Sequence, residues 1–346
     1  MLNEMTSRQR YSAFFVLFLT GSLTVIMLWS AVFGMIRFED NLVIKNFLIE
    51  KTNFLRLNLG DRVFPQVLIG KDGWMDFTGD YNLDDYQNVV SFNDEQVLMN
   101  RIAALDQFTK EQGITLLIVV APNKATVYPD KLPDGITKVS EESRLDHFIT
   151  LLKENNLPPI LDLRPILINA RSEREVYYKT NTHWNGYGAF VAYTAILNEL
   201  EKTNPEVKAY KEEELEIGTK PPSVQDIPKL LQANYIKEAH RFYLPKGFSV
   251  YSLTLPEYFG FNHITSIPDS NLPTLLMYHD SFGYRFLNEY ISMNFGKAYF
   301  IHSGDNINQY LNRESIQQFG PDIIVIEIVE RGLDRFEAYL SNFDTP

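Results

Sequence analysis

The sequence contains no cysteine, which excludes disulfides, thiolate metal sites and a cysteine nucleophile. It also lacks a basic tract: 44 Asp and Glu outnumber 32 Lys and Arg, and the formal net charge is -12. Because a nucleic-acid backbone is bound by clustered Lys and Arg, we do not expect nucleic acid as a partner. Internal repeats and low-complexity tracts are missing as well, so the sequence predicts an ordinary globular fold.

One long uncharged run stands near the amino terminus, at residues 11–36. At 1.5 Å per residue it would extend about 39 Å as a helix, which is enough to cross a bilayer. Arg8 and Arg10 precede the run, whereas acidic residues follow Arg37 at once, so the positive-inside rule places the amino terminus in the cytoplasm. We expect an uncleaved single-pass anchor in a bacterial cell membrane, with the main domain outside. A cleaved signal peptide is the alternative, although its apolar region is typically ~7–15 residues.

The remaining chain is long enough, and at 45% hydrophobic content apolar enough, to bury a full core. We divide the sequence into a cytoplasmic tail and anchor (1–36), a helical connector (37–69) and one domain (70–346). Within the domain, a segment at about 202–271 interrupts the pattern and is predicted to be an insertion. Its stretch "KEEELEIGTKPPS" is predicted to be a solvated loop.

The domain alternates apolar runs typical of buried strands with runs of helical spacing. Asp72-Gly73 between "VLIGK" and "WMDF" predicts a hairpin. Predicted strands are "ITLLIVVA", residues 160–163, "TLLMYHD", "KAYFIH" and "DIIVIEIV"; predicted helices are residues 93–112, 141–154 and 187–201, "GYRFLNEYI" and "SIQQF". Alternation of this kind predicts a doubly wound, mostly parallel α/β sheet, whose ligand site lies beyond the carboxyl ends of the strands.

A candidate nucleophile follows one of these strands. In "LLMYHDSFGYRF" the strand runs directly into Asp280 and Ser281, and a helix follows. Ser281 is therefore expected at the carboxyl edge of the sheet, and the backbone amides around Ser281, Phe282 and Gly283 are candidate oxyanion donors. The structural alternative is that Ser281 caps the following helix.

A serine hydroxyl needs a base to remove its proton. His183, in "YYKTNTHWNGYGAF", also precedes a predicted helix and is expected on the same rim of the sheet. His279 is a lesser alternative, because residues two apart on a strand share a face without necessarily meeting. The alternative for His183 is a structural role near the start of the helix rather than that of a catalytic base.

Five segments of the chain, "GKDGWMDF", "APNKATVYPDKLP", "YYKTNTHWNGYGA", "LLMYHDSFG" and "DIIVIEIVERGL", follow a familiar order and spacing. In these segments the chain resembles the alginate O-acetyltransferase family. More broadly it is similar to membrane-anchored SGNH-hydrolase-like proteins that act with a membrane-bound O-acyltransferase in exopolysaccharide acetylation. The resemblance covers about residues 70–333, apart from the insertion.

The resemblance implies an SGNH-hydrolase-like (flavodoxin-like) fold and a triad of serine, histidine and aspartate. Ser281 would be the nucleophile and His183 the base. The aspartate of the family's Asp-x-His-Trp motif is replaced by Asn181. An amide oxygen holds the imidazole tautomer but supplies no charge for the imidazolium. Asp280 and Glu327 are candidates for the missing charge.

The resemblance also implies a function: an extracytoplasmic O-acetyltransferase that acts on a cell-surface or secreted polysaccharide through a serine acyl-enzyme. A membrane-bound O-acyltransferase would supply the acetyl groups, and neither a metal nor an organic cofactor is required. Tyr178 and Trp184 are candidate substrate contacts, and packing is the alternative for Trp184. The alternative functions are a carbohydrate acetylesterase, and a noncatalytic polysaccharide-binding or assembly protein with a degenerate triad, which Asn181 favours.

Overall fold

The computed structural model of the chain describes residues 17–25, 27, 43–245, 257–259, 262–268, 270–304 and 307–344. The chain divides into two compact units, residues 1–59 and 60–346. In the first unit, residues 17–25 and 27 are helical, and helix α1 spans Val43–Asn58.

The predicted membrane anchor, residues 11–36, lies mostly outside the described residues. No helix within the described part of the chain has both the length and the apolar character needed to cross a bilayer.

The second unit is organised around a sheet of mostly parallel strands. Its strands are β1 (Val63–Phe64), β2 (Val67–Ile69), β3 (Met75–Phe77), β4 (Thr115–Ala121), β5 (Leu161–Asp162), β6 (Leu215–Ser223), β7 (Glu238–Pro245), β8 (Glu257–Phe259), β9 (Asn262–Ser266), β10 (Thr274–His279), β11 (Lys297–His302) and β12 (Ile323–Val329). Seven of the described strands form the main sheet in the order β5-β4-β12-β10-β11-β9-β8. The first five in this order pair in parallel, and β9 and β8 join antiparallel. The predicted α/β sheet of mostly parallel strands is confirmed, and the two strands at one edge make it a mixed sheet.

The central strands are largely apolar because both faces of the sheet are covered. On β4, Val119 and Ala121 pack into one core, whereas Ile118 and Val120 pack into a second core on the opposite face. Alternate side chains of β10 and β12 divide between the two cores in the same way. A strand buried on both faces loses the apolar–polar alternation of a half-exposed strand, which explains the continuous hydrophobic runs of the sequence.

Helices cover both faces of the sheet. They are α2 (Asn82–Tyr86), α3 (Glu95–Gln112), α4 (Lys124–Val127), α5 (Arg144–Glu154), α6 (Arg164–Ala170), α7 (Gly186–Glu201), α8 (Asp226–Leu230), α9 (Asn288–Ser292), α10 (Arg313–Phe319) and α11 (Phe336–Tyr339). α6, α7 and α9 contribute buried side chains to the first core, and α3, α5 and α10 to the second. The predicted helices at 93–112, 141–154 and 187–201 are therefore confirmed, with small differences at their ends.

Two local predictions differ from the structure. The stretch predicted to be a solvated loop contains β6, so that prediction is wrong. β6 pairs antiparallel with β7 from Leu215 to Lys220 and again at Ser223. Its side chains are mostly exposed and include two prolines, and the sequence therefore lacks an apolar signal for a strand. The helix predicted after Ser281 begins as a π-helix at Gly283–Leu287 before α9.

Candidate functional site

Ser281 lies in the turn that joins β10 to the π-helix. β10 is in the interior of the main sheet between β12 and β11, so the turn stands at the carboxyl edge, where open α/β sheets bind their ligands. The Ser281 residue is half-buried. A single π-turn at this point is itself typical of functional sites.

Two carboxyl groups hold the backbone of this turn. Asp280 accepts hydrogen bonds from the Phe282 amide (2.8 Å) and the Val329 amide (2.7 Å). Oε2 of Glu327 accepts from the amides of Asp280 (3.1 Å) and Gly283 (3.2 Å). The amides of Phe282 and Gly283, which the sequence suggested as oxyanion donors, thus have carboxyl partners in this structure.

Glu327 is wholly buried beneath the turn. Burial, and then the negative charge of Asp280, raise the pKa of Glu327 well above its ordinary value. The hydrogen bonds of Asp280 and Glu327 go to the turn and to β12. Asp280 and Glu327 therefore hold the Ser281 turn in place. Neither of them is the carboxylate that lies beside His183.

His183 is presented by a short loop in front of α7. An antiparallel bridge joins Tyr177 to Trp184, and the Tyr178 amide donates to the His183 carbonyl (3.4 Å). Asn185 then begins α7, because its side-chain oxygen accepts from two amides of the first helical turn, each at 3.0 Å. The loop is closed on both sides, which gives His183 a defined position.

The two glycines of the "NGYG" stretch are required by close backbone approaches. A Cβ on Gly186 would lie 2.1 Å from the Arg241 carbonyl oxygen, and one on Gly188 would lie 2.0 Å from the Val176 oxygen. Since neither obstacle is a flexible side chain, a larger residue at either position would displace the histidine loop.

The histidine loop and the serine turn meet at the edge of the sheet. The ring of His183 packs against Phe282, the neighbour of Ser281, with 5.0 Å between ring centroids. Trp184 also contacts Phe282, edge-on at 5.0 Å. The two sequence motifs, which are far apart in the chain, therefore lie side by side in the fold.

The candidate substrate contacts lie deeper than the sequence suggested. Trp184 is fully buried against Phe282, so it presents no surface to a sugar, and the structure gives it a packing role. Tyr178 is 4% exposed, and its hydroxyl is 3.0 Å from Nδ1 of His240.

Nδ1 of His183 faces a cluster of oxygen atoms. Oδ1 of Asn181 lies at 2.7 Å, Oγ1 of Thr182 at 3.0 Å and Oδ2 of Asp226 at 3.4 Å. Thr182 donates its own proton to Asp226 (2.6 Å), so its oxygen offers a lone pair to His183. With acceptors on this side, the proton of a neutral His183 is assigned to Nδ1, which leaves Nε2 as the basic nitrogen.

The orientation of the Asn181 amide follows from its neighbours. Gln225 donates through Nε2 to the Ser223 carbonyl (2.9 Å), so its Oε1 is an acceptor. That oxygen accepts from Nδ2 of Asn181 (2.9 Å), which turns Oδ1 of Asn181 towards His183. Oδ1 also accepts from the His183 backbone amide (3.0 Å). Asn181 therefore fixes the orientation of the imidazole without supplying a charge.

Asp226 is a site residue that sequence reasoning missed. It begins α8, inside the predicted insertion and 44 residues from Thr182, and no motif marks it. Its carboxylate accepts from the Thr182 amide at 3.2 Å through both oxygens. Burial alone would raise the pKa of Asp226, but the contacts with His183 and Thr182 outweigh burial and lower it.

Lys124 supports the histidine loop from below. It is 3% exposed, and its ammonium group donates to the carbonyls of Met75, Lys179 (2.9 Å) and Asn181 (3.1 Å). Burial lowers the pKa of Lys124, while the charges of Asp76 and Asp226 act in the opposite direction. This lysine joins β3, α4 and the histidine loop at one buried point.

His279, the other candidate base, is enclosed in the core. Its Nδ1 bonds to the Asp280 carbonyl (2.7 Å), and its Nε2 to the side-chain amide of Asn288 (3.0 Å). Burial lowers the pKa of His279 to about 3. With both ring nitrogens engaged, His279 is not placed to serve Ser281.

A buried acidic network lies at the same edge of the sheet. Asp85 forms an ion pair with Arg144 (2.8 Å), and the Asn123 side chain donates to Asp85 (2.7 Å). Glu330 accepts from the Asn123 amide (2.9 Å) and the Thr126 hydroxyl (2.6 Å). Burial, and then the charge of Asp85, raise the pKa of Glu330 to about 7.

This network predicts that stability falls as the pH rises. Glu330 ionises near pH 7 in the folded chain and near its ordinary 4.5 in the unfolded chain, so between these values the native state binds more protons. Each extra proton gives a slope of about 1.4 kcal/mol per pH unit. We expect Glu330→Gln to flatten the loss of thermal stability from about pH 5 to pH 8, measured by circular dichroism melts. An unchanged slope would contradict this role.

Comparison with known proteins supports the resemblance. Residues 67–245 match a family model described as "SGNH hydrolase-like domain, acetyltransferase AlgX". The probable alginate O-acetylase AlgJ of Pseudomonas fluorescens is 26% identical over 146 residues, which is 41% of this chain and 35% of that protein. The match thus spans about a third of the length of this curated relative.

Two solved structures share the fold. Bacillus cereus PatB1 with a sulfonyl adduct is 17% identical, covers 77% of this chain and 97% of its own, and superposes with a TM-score of 0.57. The O-acetyltransferase domain of Pseudomonas putida AlgJ is also 17% identical, with coverages of 81% and 100% and a TM-score of 0.52.

Proposed function

Since the chain belongs to the family of SGNH hydrolase-like domains typified by the acetyltransferase AlgX, we propose that it is an extracytoplasmic polysaccharide O-acetyltransferase that works through an acetyl-serine on Ser281. The family and the fold support acetyl transfer. The observation that carries the choice of residues is the contact of His183 with Phe282, next to Ser281, with 5.0 Å between the rings.

The proposed reaction has two halves. Nε2 of His183 takes the Ser281 proton as Oγ attacks the acetyl carbonyl; the bond to the donor's leaving group then breaks, and His183 returns the proton to that group. In the second half His183 deprotonates a sugar hydroxyl, whose oxygen attacks the acetyl carbon. The bond between that carbon and Oγ of Ser281 then breaks, and His183 returns the proton to Oγ. Asn181 holds Nδ1–H of His183 throughout.

The oxyanion donors are proposed to be backbone amides of the turn from Ser281 to Gly283. The amides of Phe282 and Gly283 must exchange their carboxyl partners for the developing oxyanion. Because burial favours protonated Glu327, the Gly283 amide is released from a neutral acceptor, which is weaker than a carboxylate.

The setting of the reaction is part of the same proposal. The uncharged run at residues 11–36 would anchor the chain in the bacterial membrane, and a membrane-bound O-acyltransferase would deliver the acetyl group across it. The name of the Pseudomonas fluorescens relative, a probable alginate O-acetylase, supports a polysaccharide acceptor. If water replaces the sugar hydroxyl in the second half, the same site is a carbohydrate acetylesterase.

Covalent labelling tests the nucleophile. We expect the full-length protein, treated with an aryl sulfonyl fluoride and digested, to carry one sulfonyl group on Ser281 by mass spectrometry. His183→Gln should slow the labelling ~10²-fold or more, because the serine then loses its base. Folded protein that is unlabelled at Ser281, under conditions in which a serine hydrolase is labelled, would favour the noncatalytic polysaccharide-binding protein.

A further inference from the structure

We infer that Asp226 supplies the negative charge that the family's aspartate position lacks in this chain, and that it acts as a positioning residue for His183. The inference rests on the proposed function, since it assigns a role in the same site. Two residues then share the role of the single aspartate in the Asp-x-His-Trp motif. Asn181 orients the imidazole, and Asp226 supplies the charge.

The division of labour follows from the contacts of Nδ1. Asn181 gives the shorter contact, 2.7 Å, and so determines the tautomer and the ring orientation. Its oxygen is neutral, and the imidazolium that forms during proton transfer needs a counter-charge. Oδ2 of Asp226 lies 3.4 Å from Nδ1, a separation at which opposite charges still attract strongly in a partly enclosed site.

Hydrogen bonds fix the Asp226 carboxylate in its position near His183. Both of its oxygens accept from the Thr182 amide, and Oδ2 also accepts from the Thr182 hydroxyl at 2.6 Å. Oδ1 accepts from the Ile227 amide at 2.8 Å. Thr182 thus ties the first residue of α8 to the residue next to His183, and its hydroxyl bridges the carboxylate and the ring.

Other titratable groups around the loop have different partners. Glu238 accepts from the amides of Lys179 (3.0 Å) and Thr180 (2.9 Å), and from the Thr180 hydroxyl (2.6 Å). Lys124 donates to backbone carbonyls beneath the loop. Asp280 and Glu327 hold the serine turn, and Arg331 lies over Phe282. Glu238 therefore supports the same loop by the same kinds of bonds as Asp226 without being bonded to the imidazole, which makes it a matched control.

Asp226 also borders open space. It lines a groove of about 500 Å³ together with Gln225, Lys229, Tyr284 and Phe286. Its side chain is 30% exposed, so water screens its charge in the free protein. An occupant of the groove would exclude that water and strengthen the attraction between Asp226 and the imidazolium.

Kinetics of the full-length protein on a chromogenic acetyl ester test the inference. We expect Asp226→Asn to lower kcat about 10- to 100-fold, less than the ~10⁴ of a complete aspartate loss, because Asn181 keeps the tautomer. KM should stay within about twofold, and the acid limb of the pH profile should move to lower pH, because the imidazolium loses its counter-charge. Adding Asn181→Asp should restore most of kcat, whereas Glu238→Gln should leave the acid limb in place.

A second measurement does not depend on turnover. In the full-length protein labelled with ¹⁵N-histidine, the NMR titration midpoint of His183, identified by His183→Asn, should fall in Asp226→Asn and not in Glu238→Gln. Equal midpoints in wild type and Asp226→Asn, or equal pH profiles, would overturn the inference. If the His183 midpoint is lower in Asp226→Asn than in wild type, but the wild type shows no turnover that depends on Ser281, the role of Asp226 stands and acetyl transfer is refuted.

Discussion

We expect Ser281→Ala to lower kcat/KM of the full-length protein for a chromogenic acetyl ester by ~10³-fold or more. The substitution removes the oxygen that forms the acyl bond and leaves only the background rate due to binding and to backbone donors. The melting temperature should change little, because the residue is half-buried and alanine is smaller than serine. Ser172→Ala is the control: this exposed serine bonds only to the Asn169 carbonyl in its own turn. Equal rates in wild type and Ser281→Ala would refute the acyl-enzyme.

Because the chain has no cysteine, the proximity of Ser281 and His183 can be tested without a substrate. Ser281→Cys creates the single thiol of the protein, and a neighbouring His183 would favour its thiolate. We expect iodoacetamide to alkylate it at neutral pH at least ~10-fold faster than the thiol of Ser172→Cys. The excess should vanish when His183→Gln is added. Equal alkylation rates would mean that His183 does not reach position 281 in solution.

The second large effect concerns Lys124. We expect Lys124→Met to lower the free energy of unfolding by about 3–5 kcal/mol. The methionine keeps the approximate volume but leaves the carbonyls of Met75, Lys179 and Asn181 without their donor. The substitution also removes the cation near Asp76. Burial raises the pKa of this carboxyl, and the positive charge of Lys124 offsets only part of that rise.

Urea unfolding followed by circular dichroism measures this change. Lys110→Met is the matched control, because Lys110 pairs with Asp106 on the helix surface with 70% of its side chain exposed. It should cost less than about 0.5 kcal/mol. Because Lys124 bonds to the Asn181 carbonyl, the variant should also lose esterase activity at temperatures where it is still folded. A loss similar to that of Lys110→Met would show that the buried ammonium is dispensable.

Most of the main sheet was predictable from local patterns. The runs that form β4, β10 and β12 are largely apolar because their side chains pack alternately into the two cores, and such runs are typical of buried parallel strands. The hairpin of β2 and β3 followed from Asp72-Gly73, where both residues have positive φ. β6 was missed because a mostly exposed strand with prolines has no alternation of apolar and polar residues. Its backbone hydrogen bonds to β7, which the sequence does not reveal, stabilise it as a strand.

The site was predictable only in part. Strand-to-helix and loop-to-helix turns placed Ser281 and His183 at an edge of the sheet, where the rings of His183 and Phe282 now lie 5.0 Å apart. The sequence offered Asp280 or Glu327 for the missing charge, and for Trp184 either a substrate contact or packing. In the structure the two carboxyl groups bond to the serine turn and to β12, and Trp184 is buried against Phe282. Sequence position shows which element a side chain belongs to, whereas its partners depend on which face of that element is covered.

From the order of its residues alone the chain specifies an α/β sheet, a serine and a histidine at turns beside it, and an asparagine at the position where the resemblance implies aspartate. These features are local, because they depend on hydrophobic periodicity and on turn chemistry within a few residues. The carboxylate next to His183 is different in kind. Asp226 reaches the ring through the folding of a segment 44 residues from Thr182, and such a distance in sequence closes only when tertiary packing brings α8 against the histidine loop.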